Sequence, residues 1–325
     1  MRAAFYERQG AADHVLQVGE LPDPLPGTGE VRVRLHYSGV NPGDTKKRAG
    51  YFGSSMPYPL VIPHSDGSGV IDMVGASVDS GRVGSQVWVY NAQSYRPFGT
   101  AAQYACVPEH TAVPLPDELD DRLAACLGIA GITAHRAVFA DGPVTGRTVL
   151  VHGVLGAVGS LAAQLARWGG ARVIGTVRRG QDLAEVAPGL ALTVALDDSD
   201  VEQAIAEVAP EGVERIIEVA FSDNVDLDAR VAANGAVIAA YATRDPRPAI
   251  DFWPMLFDNL TIRLLGSDDF PEPAKRQAAL DLTAAAAGGH LRVPIGSPLP
   301  LAEIAAAHDL VDSDNRRRVV LDVTA

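Results

Sequence analysis

The chain has 325 residues, more than one hydrophobic core usually supports, so two domains are expected. Hydrophobic residues make up 47% and charged residues 21% of it, a balance that excludes a largely disordered chain. The formal net charge of −13 argues against broad binding to nucleic acids or anionic membrane surfaces, because both carry negative charge. We therefore expect neither a nucleic-acid partner nor a membrane partner.

The chain contains two cysteines, Cys106 and Cys126, which lie far apart in the sequence and outside any CxxC pattern. They are predicted to be buried small apolar residues and not a disulfide or a structural zinc site. The first residues lack the apolar core of a signal peptide, and no stretch reaches the ~18 uninterrupted apolar residues of a membrane span. A cytoplasmic location is expected on these grounds.

Short apolar runs separated by proline and glycine clusters characterise residues 1–122. The runs that predict strands are Val31–Tyr37, Val70–Val74, Val87–Tyr90 and Ala102–Val107. This spacing is typical of an all-β, barrel-like domain.

From about Asp120 the pattern changes to alternating helices and short buried strands, which predicts a doubly wound parallel sheet over residues 123–291. The predicted strands are Thr148–His152, Ala171–Val177, Arg215–Val219, Ala236–Ala240 and Thr261–Leu265, and the predicted helices are Ala157–Trp168, Val201–Val208 and Ala274–Ala287. Residues 292–325, with a helix at Leu301–Leu310 and a strand at Arg318–Val323, are expected to return to the first domain and complete it.

Three glycines, Gly153, Gly156 and Gly159, follow the first strand of the second domain and begin its first helix. A sharp turn, a close approach of backbone to ligand and tight packing of helix on sheet each exclude a Cβ atom. The N–H groups of residues 156 to 158 are expected to be free to bind a pyrophosphate, assisted by the helix dipole. This turn predicts a dinucleotide site, although tight turns of this kind also occur in other doubly wound sheets.

The end of the next strand distinguishes NADPH from NADH. An NAD site places a carboxylate there for the ribose 2′-hydroxyl, whereas this chain has Thr176, Arg178 and Arg179. Two guanidinium groups can bind a 2′-phosphate through paired N–H groups, so NADPH is the predicted cofactor. The alternative is that both arginines are ordinary exposed residues.

Several further segments, with the glycine turn, resemble the zinc-free quinone oxidoreductase, or zeta-crystallin, branch of the medium-chain dehydrogenase/reductase superfamily. These segments are SGVNPGD at Ser38–Asp44, PHSDGSGVIDMVG at Pro63–Gly75, AQYACVPEHTAVPLP at Ala102–Pro116, GIAGITAHRAV at Gly128–Val138 and GSPLPLAEIAAAH at Gly296–His308. The resemblance implies an α/β protein with a GroES-like catalytic domain, a Rossmann domain, a cleft between them and a homodimer. It also implies reduction of quinones or activated alkenes.

Zinc-containing members of the superfamily have a cysteine where this chain has Asn41, a GHE segment near His64, and a lobe with four cysteines that is missing here. A catalytic zinc needs about three well-placed ligands, and His64 with Asp66 would make a poor site, so no metal is expected. His64 is interpreted as a hydrogen-bonded residue beside a turn, with a position in the substrate cleft as the alternative.

The resemblance implies that Asn41, Lys46 and Tyr51 serve catalysis. Asn41 would donate hydrogen bonds to the substrate or the nicotinamide ribose, Lys46 replaces the family's usual tyrosine, and Tyr51 would supply an aromatic wall and a hydroxyl group. Residues expected to bind the cofactor are Asn41, Lys46, Thr133, Gly153, Leu155, Gly156, Ala157, Val158, Gly159, Thr176, Arg178, Arg179, Asn224, Ala240, Tyr241, Ala242, Thr243, Gly266, Ser267 and Asp268.

The reaction expected from these residues is transfer of hydride from NADPH to a quinone or another small activated acceptor, with the protein supplying alignment and exclusion of water. Two alternatives stay open. The same residues would serve an enoyl-type reductase of conjugated alkenes, and Lys46 and Tyr241, which depart from the family pattern, leave room for a non-catalytic NADPH-binding redox sensor.

Overall fold

The computed structural model describes residues 1–51, 53, 56–313 and 315–325. Within these residues the strands are β1 (Arg2–Phe5), β2 (Gln17–Glu20), β3 (Glu30–Val40), β4 (Asp66–Val74), β5 (Gln86–Val89), β6 (Tyr104–Pro108), β7 (Ala112–Pro114), β8 (Thr148–Val151), β9 (Arg172–Val177), β10 (Leu192–Ala195), β11 (Val213–Glu218), β12 (Ala232–Ala240), β13 (Thr261–Leu264), β14 (Leu299–Pro300) and β15 (Val319–Asp322).

The α-helices of the same residues are α1 (Ala12–Val15), α2 (Pro42–Ala49), α3 (Asp121–Ala124), α4 (Ile129–Phe139), α5 (Ala157–Trp168), α6 (Val201–Val208), α7 (Phe221–Val231), α8 (Phe252–Phe257), α9 (Glu272–Ala287) and α10 (Ile304–Asp312). Short 3₁₀ turns lie at Ser80–Arg82, Glu109–Thr111, Gly180–Glu185, Ser267–Asp269 and Leu301–Glu303. No helix in the described ranges is both long and apolar enough to cross a membrane.

Backbone contacts divide the chain into two units. The first contains Met1–Ala130, Lys275–Ala287 and Val293–Ala325, and the second contains Gly131–Ala274 and Gly288–Arg292. The predicted boundary at residues 122 and 123 lies earlier than this division, and most of α9, which the sequence assigned to the second domain, belongs to the first unit. Side-chain contacts explain the difference, since the buried indole N–H of Trp88 on β5 donates to Thr283 Oγ1 on α9 at 3.1 Å.

The first unit is built on a seven-stranded sheet in which β14, β15, β3, β4, β5 and β7 are neighbours in that order and β6 also pairs with β3. Burial alternates along β3: Val31, Val33 and Leu35 are buried, whereas Arg34 is exposed. This period of two is typical of a sheet with one face toward the core. The final strand β15 pairs antiparallel with β3.

The second unit is built on a parallel sheet of six strands in the order β10-β9-β8-β11-β12-β13. Counted along the chain from β8, this is the 3-2-1-4-5-6 order of a Rossmann fold, whose direction reverses between β8 and β11. Val149, Leu150 and Val151 on β8 are fully buried, as expected for a strand covered on both faces. The GroES-like and Rossmann architecture predicted from the sequence is therefore confirmed.

Of the two cysteines, both of which were predicted to be buried, one is buried and the other is only partly buried. Both thiols are free, and Cys126 is buried as expected, but Cys106 on β6 is only partly buried. Its position explains this, because outward-facing residues alternate with buried ones along β6. Burial raises the pKa of the Cys106 thiol to about 11, which keeps it protonated.

Candidate functional site

The glycine turn lies at the switch point of the parallel sheet. Gly153, just beyond the end of β8, has φ +67°, a conformation that residues with side chains rarely adopt. A Cβ atom on Gly159 would lie 2.2 Å from the carbonyl oxygen of Gly153, so α5 packs on the turn at a distance that only glycine permits. Ligands of open α/β sheets bind at such a switch point, beyond the carboxyl ends of the strands.

One detail of the predicted anion site is wrong. The N–H of Gly156 donates to Gly153 O at 2.8 Å, so this amide closes the turn and is not free for a phosphate. The reason is that Gly156 caps α5, which begins at Ala157. The first N–H groups of a helix have no intrahelical acceptor, so the amides of Ala157, Val158 and Gly159 are the ones left for an anion.

Thr176 is buried inside the sheet at the end of β9. Its hydroxyl oxygen lies 3.3 Å from the N–H nitrogen of Gly153 and 3.1 Å from Nδ1 of His152. Arg178 and Arg179, which follow on the chain, are exposed to solvent. Arg179 Nε lies 3.5 Å from Asp182 Oδ2, an ion pair that leaves its terminal N–H groups for another anion. Both arginines are thus accessible to an anion from solvent, whereas Thr176 contacts the turn from inside the sheet.

Glu218 ends β11 on the other side of the switch point and is fully buried. Its carboxylate accepts hydrogen bonds from the N–H of Ala220 and, at 3.2 Å to each oxygen, from the side-chain amide of Asn224. The nitrogen of Asn224, a residue predicted to contact the cofactor, is therefore held by Glu218.

The other predicted cofactor residues of the second unit occupy loops and helix starts. Ala240 ends β12 and is buried, whereas Thr243 is exposed and donates to Asp245 O at 2.8 Å. Burial and the nearby Glu218 raise the pKa of Tyr241. The remaining members are Leu155 in the glycine turn, Ala242 between Tyr241 and Thr243, Gly266 to Asp268 at a 3₁₀ turn, and Thr133, which is buried within α4.

The first unit holds the predicted catalytic residues, with Asn41 at the start of α2. Its amide nitrogen donates to Asp66 Oδ2 at 2.7 Å, and its amide oxygen accepts from Arg318 Nη2 at 2.8 Å. The backbone N–H of Asn41 donates to Asp44 Oδ2 at 2.8 Å, as in a capping box. Asn41 is 2% exposed, so its orientation is fixed and its amide group keeps one hydrogen for a further acceptor.

Asp66 anchors this network. Besides the amide of Asn41, its carboxylate accepts the N–H of Ile129 at 2.9 Å to each oxygen. Burial raises the pKa of Asp66 to about 7, although Asn41, Arg318 and the Ile129 N–H act in the opposite direction. A Cβ atom on Gly128 would lie 2.0 Å from Asp66 Oδ1, so glycine is required beside the carboxylate.

Lys46 and Tyr51, the other predicted catalytic residues, lie near the end of α2. The ammonium nitrogen of Lys46 lies 5.2 Å from the centre of the Tyr51 ring, within range of a cation–π interaction. The Tyr51 side chain is 61% exposed. These two side chains therefore interact with each other at the surface of the first unit.

His64 is fully buried and hydrogen-bonded, which confirms its interpretation as a structural residue. Its Nδ1 atom lies 2.8 Å from Ser38 Oγ, and its Nε2 atom lies 2.9 Å from Nε2 of His308, whose ring stacks on it. Burial and the neighbouring His308 lower the pKa of His64, and burial lowers that of His308 to about 3. One neutral ring can then donate to the other.

His64 and Asp66, the two residues considered as zinc ligands, have separate partners. Across the described part of the chain, one group of three or more potential metal ligands lies close together: His152, Glu218 and Asp228, whose ligand atoms are within 4.8 Å of one another. All three are buried in the second unit. The sequence analysis placed His152 at the end of a strand and did not bring Asp228 into the site, because α7 was not predicted.

Comparison with known proteins identifies the family. Residues 27–117 match the family model described as alcohol dehydrogenase GroES-like domain, and residues 157–284 match the model described as zinc-binding dehydrogenase. The quinone oxidoreductase of Mus musculus is 30% identical over 315 residues, which cover 95% of this chain and 93% of the relative. The chain belongs to the quinone oxidoreductase branch of the medium-chain dehydrogenase/reductase superfamily. It is an oxidoreductase, as its motifs predict.

Solved structures agree with this fold. An alcohol dehydrogenase superfamily protein from Novosphingobium aromaticivorans is 25% identical, with a TM-score of 0.88 over 99% of this chain and 100% of that one. A NAD-dependent alcohol dehydrogenase is 26% identical, with a TM-score of 0.86 over 99% of this chain and 100% of that one. Both likenesses extend over nearly the whole chain and support the two-part fold described above.

The residues of the glycine turn fit a dinucleotide, because the turn packs so closely on α5 that no side chain lies between them, and the first amides of the helix have no intrahelical acceptor. We expect Gly159→Ala to weaken binding of both NADPH and NADH by at least about tenfold, since the added Cβ must push α5 away from Gly153 O. Isothermal titration calorimetry measures this.

Gly296→Ala is the matched control, because its Cβ would meet Arg318 O at an ordinary 3.6 Å. Unchanged nucleotide affinity in a folded Gly159→Ala protein would contradict the assignment of this turn.

Proposed function

We propose that the protein is an NADPH-dependent reductase of quinones that acts by direct hydride transfer and without a metal. The observation that carries the proposal is the glycine turn at the sheet's switch point, followed on the next strand by two exposed arginines in place of a carboxylate. The similarity to quinone oxidoreductases supports the choice of acceptor.

The second unit would bind the coenzyme. The free amides of Ala157, Val158 and Gly159 would bind the pyrophosphate, and Arg178 with Arg179 would bind the 2′-phosphate through charge-assisted hydrogen bonds. Asn224, Thr133 and the loops at residues 240–243 and 266–268 are the remaining proposed contacts. The bound nicotinamide supplies the hydride, which is chemistry that no side chain can provide.

The first unit would serve the acceptor. Hydride addition leaves negative charge on a quinone oxygen, which needs hydrogen-bond donors placed in advance. The remaining amide hydrogen of Asn41 is such a donor, and its orientation costs nothing during the reaction because Asp66 and Arg318 already fix it. Lys46 would stabilise the same charge through its ammonium group, and Tyr51 would offer its ring and hydroxyl group to the acceptor.

The proposed assembly is a homodimer. Strand β13 forms one edge of the six-stranded sheet, and an edge strand leaves backbone groups available for pairing. An exposed apolar patch lies on and before this strand; its members are Ile250, Phe252, Trp253, Leu256, Phe257 and Leu264. A patch of this kind marks an interaction surface in a folded protein.

The function is tested by mixing purified protein with NADPH and either 1,4-quinones or conjugated enones, and by following the loss of reduced-nicotinamide absorbance. We expect turnover with quinones, unaffected by a metal chelator, and much slower turnover by Gly159→Ala protein as the negative control. Turnover of enones alone would favour the alkene reductase, and saturable NADPH binding without turnover of either would favour the redox sensor.

The coenzyme preference is tested with Arg178→Ala/Arg179→Ala. We expect NADPH affinity to fall by about tenfold to a hundredfold and NADH affinity to change little, because only NADPH carries the 2′-phosphate. Arg172→Ala, at the opposite end of β9, is the control for loss of positive charge, and calorimetry gives both affinities. Equal losses of affinity for NADPH and NADH would contradict the assignment of these arginines to the 2′-phosphate.

The dimer is tested with Trp253→Ser/Phe257→Ser, measured by light scattering coupled to size exclusion. We expect the mass to fall from that of two chains to that of one, because the substitutions remove two large apolar contacts from the patch. Leu25→Ser is the control, since Leu25 is an equally exposed apolar residue outside the patch. A monomeric wild-type protein would contradict the proposed assembly.

A further inference from the structure

Three ionisable side chains at the switch point take no part in the mechanism proposed above. His152 follows β8, Glu218 ends β11 and Asp228 lies on α7, and all three are fully buried. Burial of ionisable groups is costly unless they are paired and hydrogen-bonded, so this cluster needs a reason.

The two ring nitrogens of His152 face different kinds of partner. Nε2 lies 2.8 Å from Asp228 Oδ1 and 3.5 Å from Glu218 Oε2, whereas Nδ1 lies 3.1 Å from the hydroxyl oxygen of Thr176. Nε2 carries a proton for Asp228 in the neutral Nε2-protonated tautomer and in the imidazolium alike, and Nδ1 then accepts the Thr176 hydroxyl proton or donates to the hydroxyl oxygen. The contacts from Asp228 through His152 to Thr176 are therefore satisfied without a particular charge on the ring.

Asp228 fixes the orientation of the ring. Burial by itself lowers the pKa of His152, but the Asp228 charge and hydrogen bond, with the Glu218 charge, raise it above its ordinary value. Asp228 Oδ2 has no hydrogen-bond partner among the described residues, so the contact between His152 Nε2 and Oδ1 is the main hydrogen bond of this carboxyl group.

Glu218 is the third ionisable group of the cluster. Burial and the neighbouring Asp228 raise its pKa, whereas His152, the Ala220 N–H and Asn224 lower it, and Tyr241 faces it from the end of β12.

Thr176 transmits the ring's orientation to the turn. Its hydroxyl oxygen lies 3.1 Å from His152 Nδ1 and accepts the Gly153 N–H at 3.3 Å, so this one side chain joins the ring to the turn. The carbonyl oxygen of Thr176 also accepts the N–H of Val154 at 3.1 Å. The left-handed Gly153 is thus held on both sides by one residue of β9.

We propose that His152, hydrogen-bonded to Asp228, is a positioning residue for the coenzyme turn, which acts through the Thr176 hydroxyl on Gly153. Thr176 then serves the coenzyme indirectly, and not as the direct contact that the sequence suggested. The inference rests on the proposed coenzyme site, whereas the state of the ring is measurable without coenzyme.

The ring is tested by ¹⁵N NMR of the coenzyme-free protein at neutral pH. Nε2 of His152 is expected to carry a proton, because it donates to Asp228. A ring protonated on Nδ1 alone would overturn the proposal. So would loss of the Nε2–H signal on adding zinc, because it would make the cluster a metal site.

The effect on the turn is tested with Thr176→Val and the conservative Thr176→Ser. Thr176→Val is expected to weaken NADPH and NADH equally, by about threefold to tenfold, while Thr176→Ser keeps the wild-type affinity. Equal losses separate this role from that of the arginines, whose removal affects NADPH selectively. In steady-state assays the KM for coenzyme should rise with kcat nearly unchanged.

A matched pair isolates the imidazole's hydrogen bond to Thr176. His152→Asn/Asp228→Asn and His152→Leu/Asp228→Asn remove the same charges and have similar volumes, but only the first keeps a donor near the Nδ1 position. We expect it to bind nucleotide more tightly than the second, and circular dichroism checks that both fold. Equal affinities would overturn the proposal, whereas a wild-type protein that binds neither nucleotide would overturn the proposed function instead.

Discussion

The close contact between Gly153 and the start of α5 is the constraint on which the rest of the second unit depends. In this fold the first amides of the helix reach the ligand side of the sheet because the chain turns sharply after the strand. The turn and the helix then lie so close together that there is no room for a methyl group between them. The neighbouring elements stabilise this contact. Thr176 binds the turn from the adjacent strand, and the order of the six strands leaves the space beyond the ends of β8 and β11 uncovered.

In the first unit the main constraint is different: a buried side-chain amide group must be hydrogen-bonded and held in one orientation. Asn41 has its oxygen bound by a guanidinium and its nitrogen bound by a carboxylate, so one hydrogen remains and its direction is determined. Asp66 in turn depends on the backbone N–H of Ile129 and on the space that Gly128 leaves. An amide held in this way donates a hydrogen bond without reorganisation, which is what developing negative charge requires.

The sequence predicted the elements whose signal is local. Helices α5 and α6 were placed at their observed limits because apolar periodicity defines both and glycines flank α5, and the parallel strands were recognised as short apolar runs. The strand β10 and the helix α7 were missed, since LTVA is too short and α7 carries three aspartates among its apolar residues. The network around His152 could not be predicted for the same reason, because Asp228 reaches His152 only through the position of α7. The Gly156 amide was misjudged because glycine spacing does not reveal which N–H group closes the turn.

The hydrogen bond between Asn41 and Arg318 joins residues 277 positions apart in the chain. Arg318 immediately precedes β15, the last strand, which lies against β3, one of the first. During synthesis on the ribosome the amide of Asn41 therefore lacks its guanidinium partner until Arg318 has emerged. A shortened product that stops before this arginine would have the glycine turn of the second unit but an incomplete first unit, so nucleotide binding would be a poor indicator of a folded first unit.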